Sequence, residues 1–272
     1  MNKIIGFLEL DGEKIIDKLY VYRVKFFYFL YKVLALLFSL PAISMGVFLT
    51  RDIIAKNSYG KFYCRKKDED VHFVSEHYEN RTLSIFKNLA KTAKVIIDVG
   101  AHIGKYPILA SKFTQGKVIA IEPSKENFSI LKKNIQLNKS KNVLAVNLAV
   151  TNLNKKVKLY KGDTSGHYTL KLISPSWQWV NGITLDYLLK KLKIPKVDLV
   201  KIDVEGAELD VIEGFKRYLT SHRVDKMVIE ISQKTLNKLK KKFNSLGYSL
   251  KRIEDNNYIV EYEDIFNNNS KK

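Results

Sequence analysis

Four apolar runs in this chain stop at a carboxylate: VIID at Asp98, VIAIE at Glu122, LVKID at Asp203 and MVIE at Glu230. Acids at such positions can hold a cation, accept hydrogen bonds from hydroxyls or take up a proton. Between the first two lies GAHIG, with Gly100 and Gly104 four residues apart around Ala101 and His102. Glycines after a strand let the backbone turn tightly and pass close to a ligand. A pyrophosphate loop would read G-x-G-x-x-G, and Ala101 breaks that pattern; no G-K-[ST] follows either. Asp98 would repel a phosphate, but suits a cationic amino group. Glu122, 24 residues further on, can accept both hydroxyls of a ribose. A ligand with adenosine at one end and an amino acid at the other satisfies both acids: S-adenosylmethionine. Pro123 and Asn147 stand beside this expected cofactor wall. Read separately, Asp98 and Glu122 also suit helix caps.

Methyl transfer from a sulfonium needs the acceptor aligned with the methyl group. A hydroxyl acceptor also needs a base. Asp203 is the expected base, with Glu205 two residues later as a second carboxylate. The pair can alternatively hold a metal that acidifies the hydroxyl, or Glu205 can cap the next helix. Lys201 shares a strand face with Asp203 and needs a charge partner inside a central strand. His167, in TSGHYTL, has a suitable pKa for a base but is equally readable as an incidental surface histidine. Glu230 is readable as an acceptor-side contact or equally as a structural hydrogen bonder, and Trp177 as a stacking wall or, more plainly, as core or lid packing.

These residues need strands to present them. Strands are expected at 95–99, 117–122, the NVLAVNLAV segment, 197–204 and DKMVIEIS, alternating with helices near 104–113, 125–138, 184–192, 207–218 and 234–247. Short strands at KFYCRKK and DVHFVSE come first, before a helix near 78–91. KKVKLYKG and GHYTLKLI read as a hairpin, and YSLKRIE–DNN–YIVEYE closes the chain as another. Such alternation predicts an α/β fold, Rossmann-like, with a mostly parallel sheet and ligands at the carboxyl ends of the strands. The expected divisions are an apolar and basic helical arm over 1–57, a catalytic domain over 58–264 and a mobile polar tail over 265–272.

The formal charge of +19 invites nucleic acid as a partner. Yet 40 of the 47 basic residues are lysine and the excess is spread along the chain, so a generally basic surface is the plainer reading. No Pro-Cys nucleophile or Asp/Asn-Pro-Pro-aromatic motif of base methylation is present; a ribose hydroxyl stays open as an acceptor. One cysteine, Cys64, fits a reducing, cytoplasmic setting and excludes an internal disulfide. Residues 33–49 carry no charge, and Pro41 interrupts them. Residues 26–50 can therefore pack on the domain, lie on a membrane surface or cross one.

The blocks DVGAHIGKY, AIEPS, NLAV, ITLDYLL, VKIDVEGAELDVIEGF and VIEI, spread over residues 58–262, resemble the FkbM family of S-adenosylmethionine-dependent methyltransferases. KIDVEGAE is the most specific of them. His102 stands where the family commonly has Asn, Pro107 replaces a small or apolar residue, and the apolar arm lies outside the shared region. The resemblance implies a Rossmann-like methyltransferase acting on a hydroxyl of a glycan, lipid or metabolite. A membrane-associated scaffold with a decayed cofactor fold and a nicotinamide dehydrogenase are the competing classes, the latter lacking the third fingerprint glycine.

Overall fold

The computed structural model describes residues 11–38, 45–162, 168–171 and 174–263. In chain order the elements are β1 (Asp11–Gly12), α1 (Ile15–Phe38), a 3₁₀ turn (Met45–Phe48), β2 (Ile53–Lys56), β3 (Lys61–Cys64), α2 (Asp70–Phe73) and α3 (Asn80–Ala90). Then come β4 (Val95–Val99), α4 (Lys105–Phe113), β5 (Lys117–Ile121), α5 (Lys125–Leu137), β6 (Val143–Val146), β7 (Ala149–Val150), β8 (Lys156–Lys161), β9 (Tyr168–Thr169) and β10 (Trp177–Ile183). The last third holds α6 (Leu185–Lys191), β11 (Val197–Ile202), α7 (Glu208–Glu213), α8 (Lys216–Thr220), β12 (Val224–Glu230), α9 (Gln233–Ser245), β13 (Tyr248–Glu254) and β14 (Asn257–Tyr262).

The main sheet has seven strands in the order β13-β14-β12-β11-β4-β5-β6. β12, β11, β4, β5 and β6 run parallel, while β14 is antiparallel to both its neighbours. The closing hairpin thus places its antiparallel strand one position in from the edge. The chain first builds outward from β4 to β6, then returns to lay β11 on the other side of β4. That reversal opens a crevice at the carboxyl ends of β4 and β11, where open α/β sheets bind ligands.

Strand alternation divides the core in two. Ile96, Val118, Leu199 and Val228 point to one face, packed under α3, α4 and the N-terminal elements. Ile97, Ile119, Val200 and Ile229 point to the other, under α6 to α9. Asp98, Lys201, Asp203 and Glu230 continue the first series by steps of two, so the period of the strand delivers them to one face.

Local chemistry fixes the connections. Ser124 caps α5 by accepting from the Asn127 N–H, and Thr184 caps α6 by accepting from the Tyr187 N–H. DVHFVSE, expected as a strand, is instead a helical turn: the Asp70 carboxylate accepts from the Arg65 N–H and guanidinium and curls the segment. The helix expected over 207–218 is two helices. Gly214 separates them, because a side chain there would collide with the Thr151 carbonyl, and the Asp186 carboxylate accepts from the N–H groups of Arg217 and Tyr218 to start α8. NVLAVNLAV also divides, with β6 in the main sheet and β7 in a second, four-stranded sheet ordered β7-β10-β8-β9. In that sheet β8 pairs chiefly with β10, whose strand character was not anticipated, and over only two residues with β9.

α1 rests on the body through Val21, Val24 and Tyr28. β1, β2 and β3 form a small sheet docked on α5, where Asn134 and Asn138 accept from the N–H groups of Tyr63 and Lys61. The expected boundary at 57/58 falls in the β2–β3 turn, and the expected tail lies outside the described residues. No described helix is long and apolar enough to cross a membrane. Cys64 is buried, and burial pushes its thiol pKa well up, as suits an inert core residue.

Candidate active site

A cavity of about 270 Å³ opens at the carboxyl ends of β4, β5, β11 and β12. It is lined by ten of the residues anticipated from sequence: the acids Asp98, Glu122, Asp203, Glu205 and Glu230, with Gly100, Ala101, His102, Pro123 and Lys201. Leu159, Tyr168 and Leu170 of the second sheet form its far wall.

The loop after β4 is shaped by close approach. Gly100 has φ +87°, and a Cβ there would collide with the Asp203 carbonyl oxygen, so only glycine lets the two strand ends meet. Gly104 has φ +100° and faces Leu131, which a Cβ would meet at 2.7 Å; it supports helix packing and does not line the cavity. His102 also adopts a left-handed conformation, φ +49°, which aims its N–H at Glu122 Oε2, 2.8 Å away. Its imidazole lies against the edge of Phe73, with Nε2 3.8 Å from Asp70 Oδ1.

Glu122 is 3% exposed and also accepts from the Ser124 N–H at 2.9 Å. Burial pushes its pKa up to about 7, against the pull of those backbone N–H donors. A carboxylate has about four acceptor positions, so two N–H bonds leave capacity for a ligand. Asn147 holds the loop from behind, donating to the carbonyls of Glu122 and Pro123 at 2.8 and 3.0 Å. It braces the Glu122–Pro123 backbone without lining the cavity.

Asp98 is 2% exposed and sits beside Lys201 in the β4–β11 register. Burial raises its pKa to about 7, although Lys201 opposes the shift. The Lys201 ammonium is fully buried, 3.2 Å from Asp203 Oδ2 and 5.2 Å from the centre of the Tyr106 ring. Burial works against its charge, but Asp203, Glu79, Glu230 and Asp98 outweigh it and raise the pKa above the usual lysine value.

Glu79 was not singled out from sequence. It stands at the N-terminus of α3 with φ +56°, its carboxylate accepting from Tyr106 Oη at 2.8 Å and Asn257 Nδ2 at 3.0 Å. Burial opposes its ionisation, yet Lys201, Lys105 and those two donors hold its pKa below the usual range. Glu230 behaves oppositely: the neighbouring Asp203 charge and then burial raise it to about 8. Glu79, Asp203 and Glu230 each bring a carboxylate oxygen within 4.8 Å of the others. Among the described residues, this trio has a spacing suited to a divalent cation.

Glu205 reaches the cavity, with its pKa raised to about 7 by burial and then by Asp203. The N–H of Gly206 donates to Glu208 at 2.7 Å, so Glu208 serves the start of α7 and Glu205 is left facing the cavity. Lys105 and Tyr106, in the first turn of α4, complete the floor. Lys105 donates to the Tyr78 carbonyl at 2.7 Å, and burial lowers its pKa to about 8. Trp177 is outside the cavity, half-exposed, with its ring edge-on to Trp179 at 5.6 Å and the Lys158 ammonium 4.4 Å above it. His167 lies outside the described residues.

Strand order, crevice and the placement of acids define a class I methyltransferase architecture. The family model for the methyltransferase FkbM domain matches residues 98–250, more than half of the chain, and the protein belongs to that family of S-adenosylmethionine-dependent methyltransferases. Among characterised relatives it is similar to the hexuronic acid methyltransferase AglP of Haloferax volcanii, 24% identical over 191 residues that span 70% of this chain and 78% of that protein. It is also similar to methyltransferase 1 of Beauveria bassiana, 27% identical over 142 residues spanning 44% of this chain and 57% of the relative. Among solved structures, it is similar to M. jannaschii TYW2 in complex with AdoMet, at TM-score 0.42 and 17% identity over 81% of this chain and 85% of that one.

Proposed function

We propose that the protein methylates a hydroxyl oxygen of a sugar, in a glycan rather than in a free lipid or small metabolite. The observation that carries this reading is the cluster of Asp203, Glu230 and Glu79 around buried Lys201 at one end of the cavity, apart from Glu122 at the other strand end. S-adenosylmethionine, when bound, supplies a methyl group activated by a positively charged sulfur. Asp98 would face its amino group and Glu122 its ribose, with the Gly100–His102 backbone along its length. Both acids are buried, oriented and in one cavity, so the residues fit the cofactor.

Lys201 pairs with Asp203 at the acceptor side, 3.2 Å from its Oδ2. The acceptor hydroxyl would give its proton to Asp203 or Glu230 as its oxygen takes the methyl group and the methyl–sulfur bond breaks, leaving a neutral thioether. Glu230, raised to about 8 by the Asp203 charge and then burial, becomes available as a second acceptor of that proton only as pH approaches 8. Several carboxylates disfavour an anionic acceptor atom and supply the base a hydroxyl needs. The same three oxygens offer a divalent cation a site, in which role they would acidify the hydroxyl through the metal. The similarity to a hexuronic acid methyltransferase supports a sugar as the acceptor. His167 remains a proposed second base.

The test is transfer of labelled methyl from S-adenosylmethionine to a panel of oligosaccharides, RNA and lipids, with the product's methyl position assigned by NMR. Methyl ethers on sugar, lost in Asp203→Asn, are expected. Transfer to RNA ribose alone, or transfer unaffected by Asp203→Asn, would contradict the proposal.

A further inference from the structure

α1 is held to the body by one stripe, Val21, Val24 and Tyr28, together with Asp17. The rest of its circumference is unusual for a helix in water. Thirteen apolar or aromatic residues between Ile15 and Phe38 are exposed, among them Leu19 at 65%, Phe26 at 62%, Leu30 at 43% and Leu37 at 70%. At 100° per residue these occupy roughly 200° of the helix, centred opposite the docked stripe. Patches of this kind mark contact with a partner or a membrane.

The charges decide which. The only acid in α1, Asp17, is turned inward and pairs with Arg51 at 3.0 Å. Lys18, Lys25 and Lys32 recur every seven residues, and so line one flank between the docked stripe and the apolar face. The Lys25 and Lys32 ammonium groups lie over the Tyr22 and Tyr28 rings, 5.1 and 5.4 Å from the ring centres, which keeps these cations on the helix flank. Lys18 shares its charge with Asp11. Arg23, over the Phe27 ring, adds a positive charge within the outward face. A second copy of the helix would need a narrow seam, about two positions in seven. A swath of half the circumference, bordered by lysines on one side, carrying Arg23 and holding no acid of the helix itself, fits a helix lying in the plane of an anionic lipid surface.

We propose that the outward face of α1 docks this protein on membranes rich in anionic lipid, seating Leu19, Phe26 and Leu30 among the acyl chains and the flanking lysines at the headgroups. The proposal is independent of the acceptor's identity. The test is flotation of the full-length protein with phosphatidylcholine vesicles and with vesicles that also contain phosphatidylglycerol, at low and high salt. The comparison protein carries Leu19→Glu, Phe26→Glu and Leu30→Glu, which alter only exposed positions, with an unchanged unfolding temperature as the control for folding. Binding to the anionic vesicles, weakened by salt and reduced at least about tenfold by the substitutions, is expected. Absence of flotation, equal flotation with neutral vesicles, retention of binding by the triple variant, or a dimer dissolved by the substitutions without vesicle binding would each overturn it.

Discussion

The Lys201 ammonium lies 3.2 Å from the Asp203 carboxylate, wholly buried at the end of the central strand and in register with Asp98 on its neighbour. One cation therefore faces the carboxyl groups of Asp203, Asp98, Glu79 and Glu230. Replacing it with an isosteric apolar side chain, Lys201→Met, strands those charges. Breaking a buried pair in this way costs about 3–5 kcal/mol. Chemical denaturation should show a loss of that order, and a change within about 0.5 kcal/mol, typical of surface sites, would refute the electrostatic role given to Lys201.

Asp203→Asn keeps the shape and removes the acceptor of the proton. Methyl transfer should fall by about 10²–10⁴-fold, the usual contribution of a general base. Cofactor affinity, measured by calorimetry, should stay within a few-fold. Equal losses in both would make Asp203 a cofactor ligand instead.

The Asp203–Glu230 pair also sets a pH dependence. Glu230 is raised to about 8 and accepts a proton only when ionised. The rate at saturating substrates should rise with pH through the region near 8. Glu230→Gln should remove that limb of the profile, and an unaltered profile would exclude Glu230 as a second acceptor of that proton.

Folding stability should run the other way. Asp98 and Glu122, both about 7 in the folded chain, bind protons more tightly there than in the unfolded chain, where they titrate near 4. The stability they contribute is complete below about pH 4 and is lost as pH rises through 7. Cofactor-free protein should melt at a lower temperature at pH 8 than at pH 6. A higher melting temperature at pH 8 would argue that both acids are already ionised at pH 6.

Gly100→Ala adds a methyl group where the Asp203 carbonyl already stands, at a φ of +87°. The left-handed conformation alone costs about 1–2 kcal/mol, and the collision forces two strand ends apart. Lower unfolding temperature together with weaker cofactor binding is expected. A stable, fully binding variant would show that the loop is not pinned at that contact.

Much of this site was readable because strand period and strand ends are local facts. Asp98, Glu122, Asp203 and Glu230 each close an apolar run, and the step of two that aligns Lys201 with Asp203 is visible in KID. Glu79 left no such mark. It arrives from a helix start before the first strand of the main sheet, and only the packing of α3 beside β13 brings it to Lys201, with Asn257 of β14 as its partner. Trp177 shows the converse: SPSWQWV could be read as a stacking wall or as packing, and only the β10–β8 register shows that both tryptophans are exposed. The break of the helix at Gly214 depends on the Thr151 backbone, 63 residues earlier, which no local pattern reveals.

The most direct measurement is calorimetric titration of the protein with S-adenosylmethionine and S-adenosylhomocysteine, beside Glu122→Gln and with NAD as the control. Both sulfur ligands should bind, NAD should not, and Glu122→Gln should weaken binding about tenfold or more while leaving the fold intact. A folded protein that binds neither ligand, or a Glu122→Gln variant that binds both undiminished, would contradict the assignment of the strand-end acids to the cofactor.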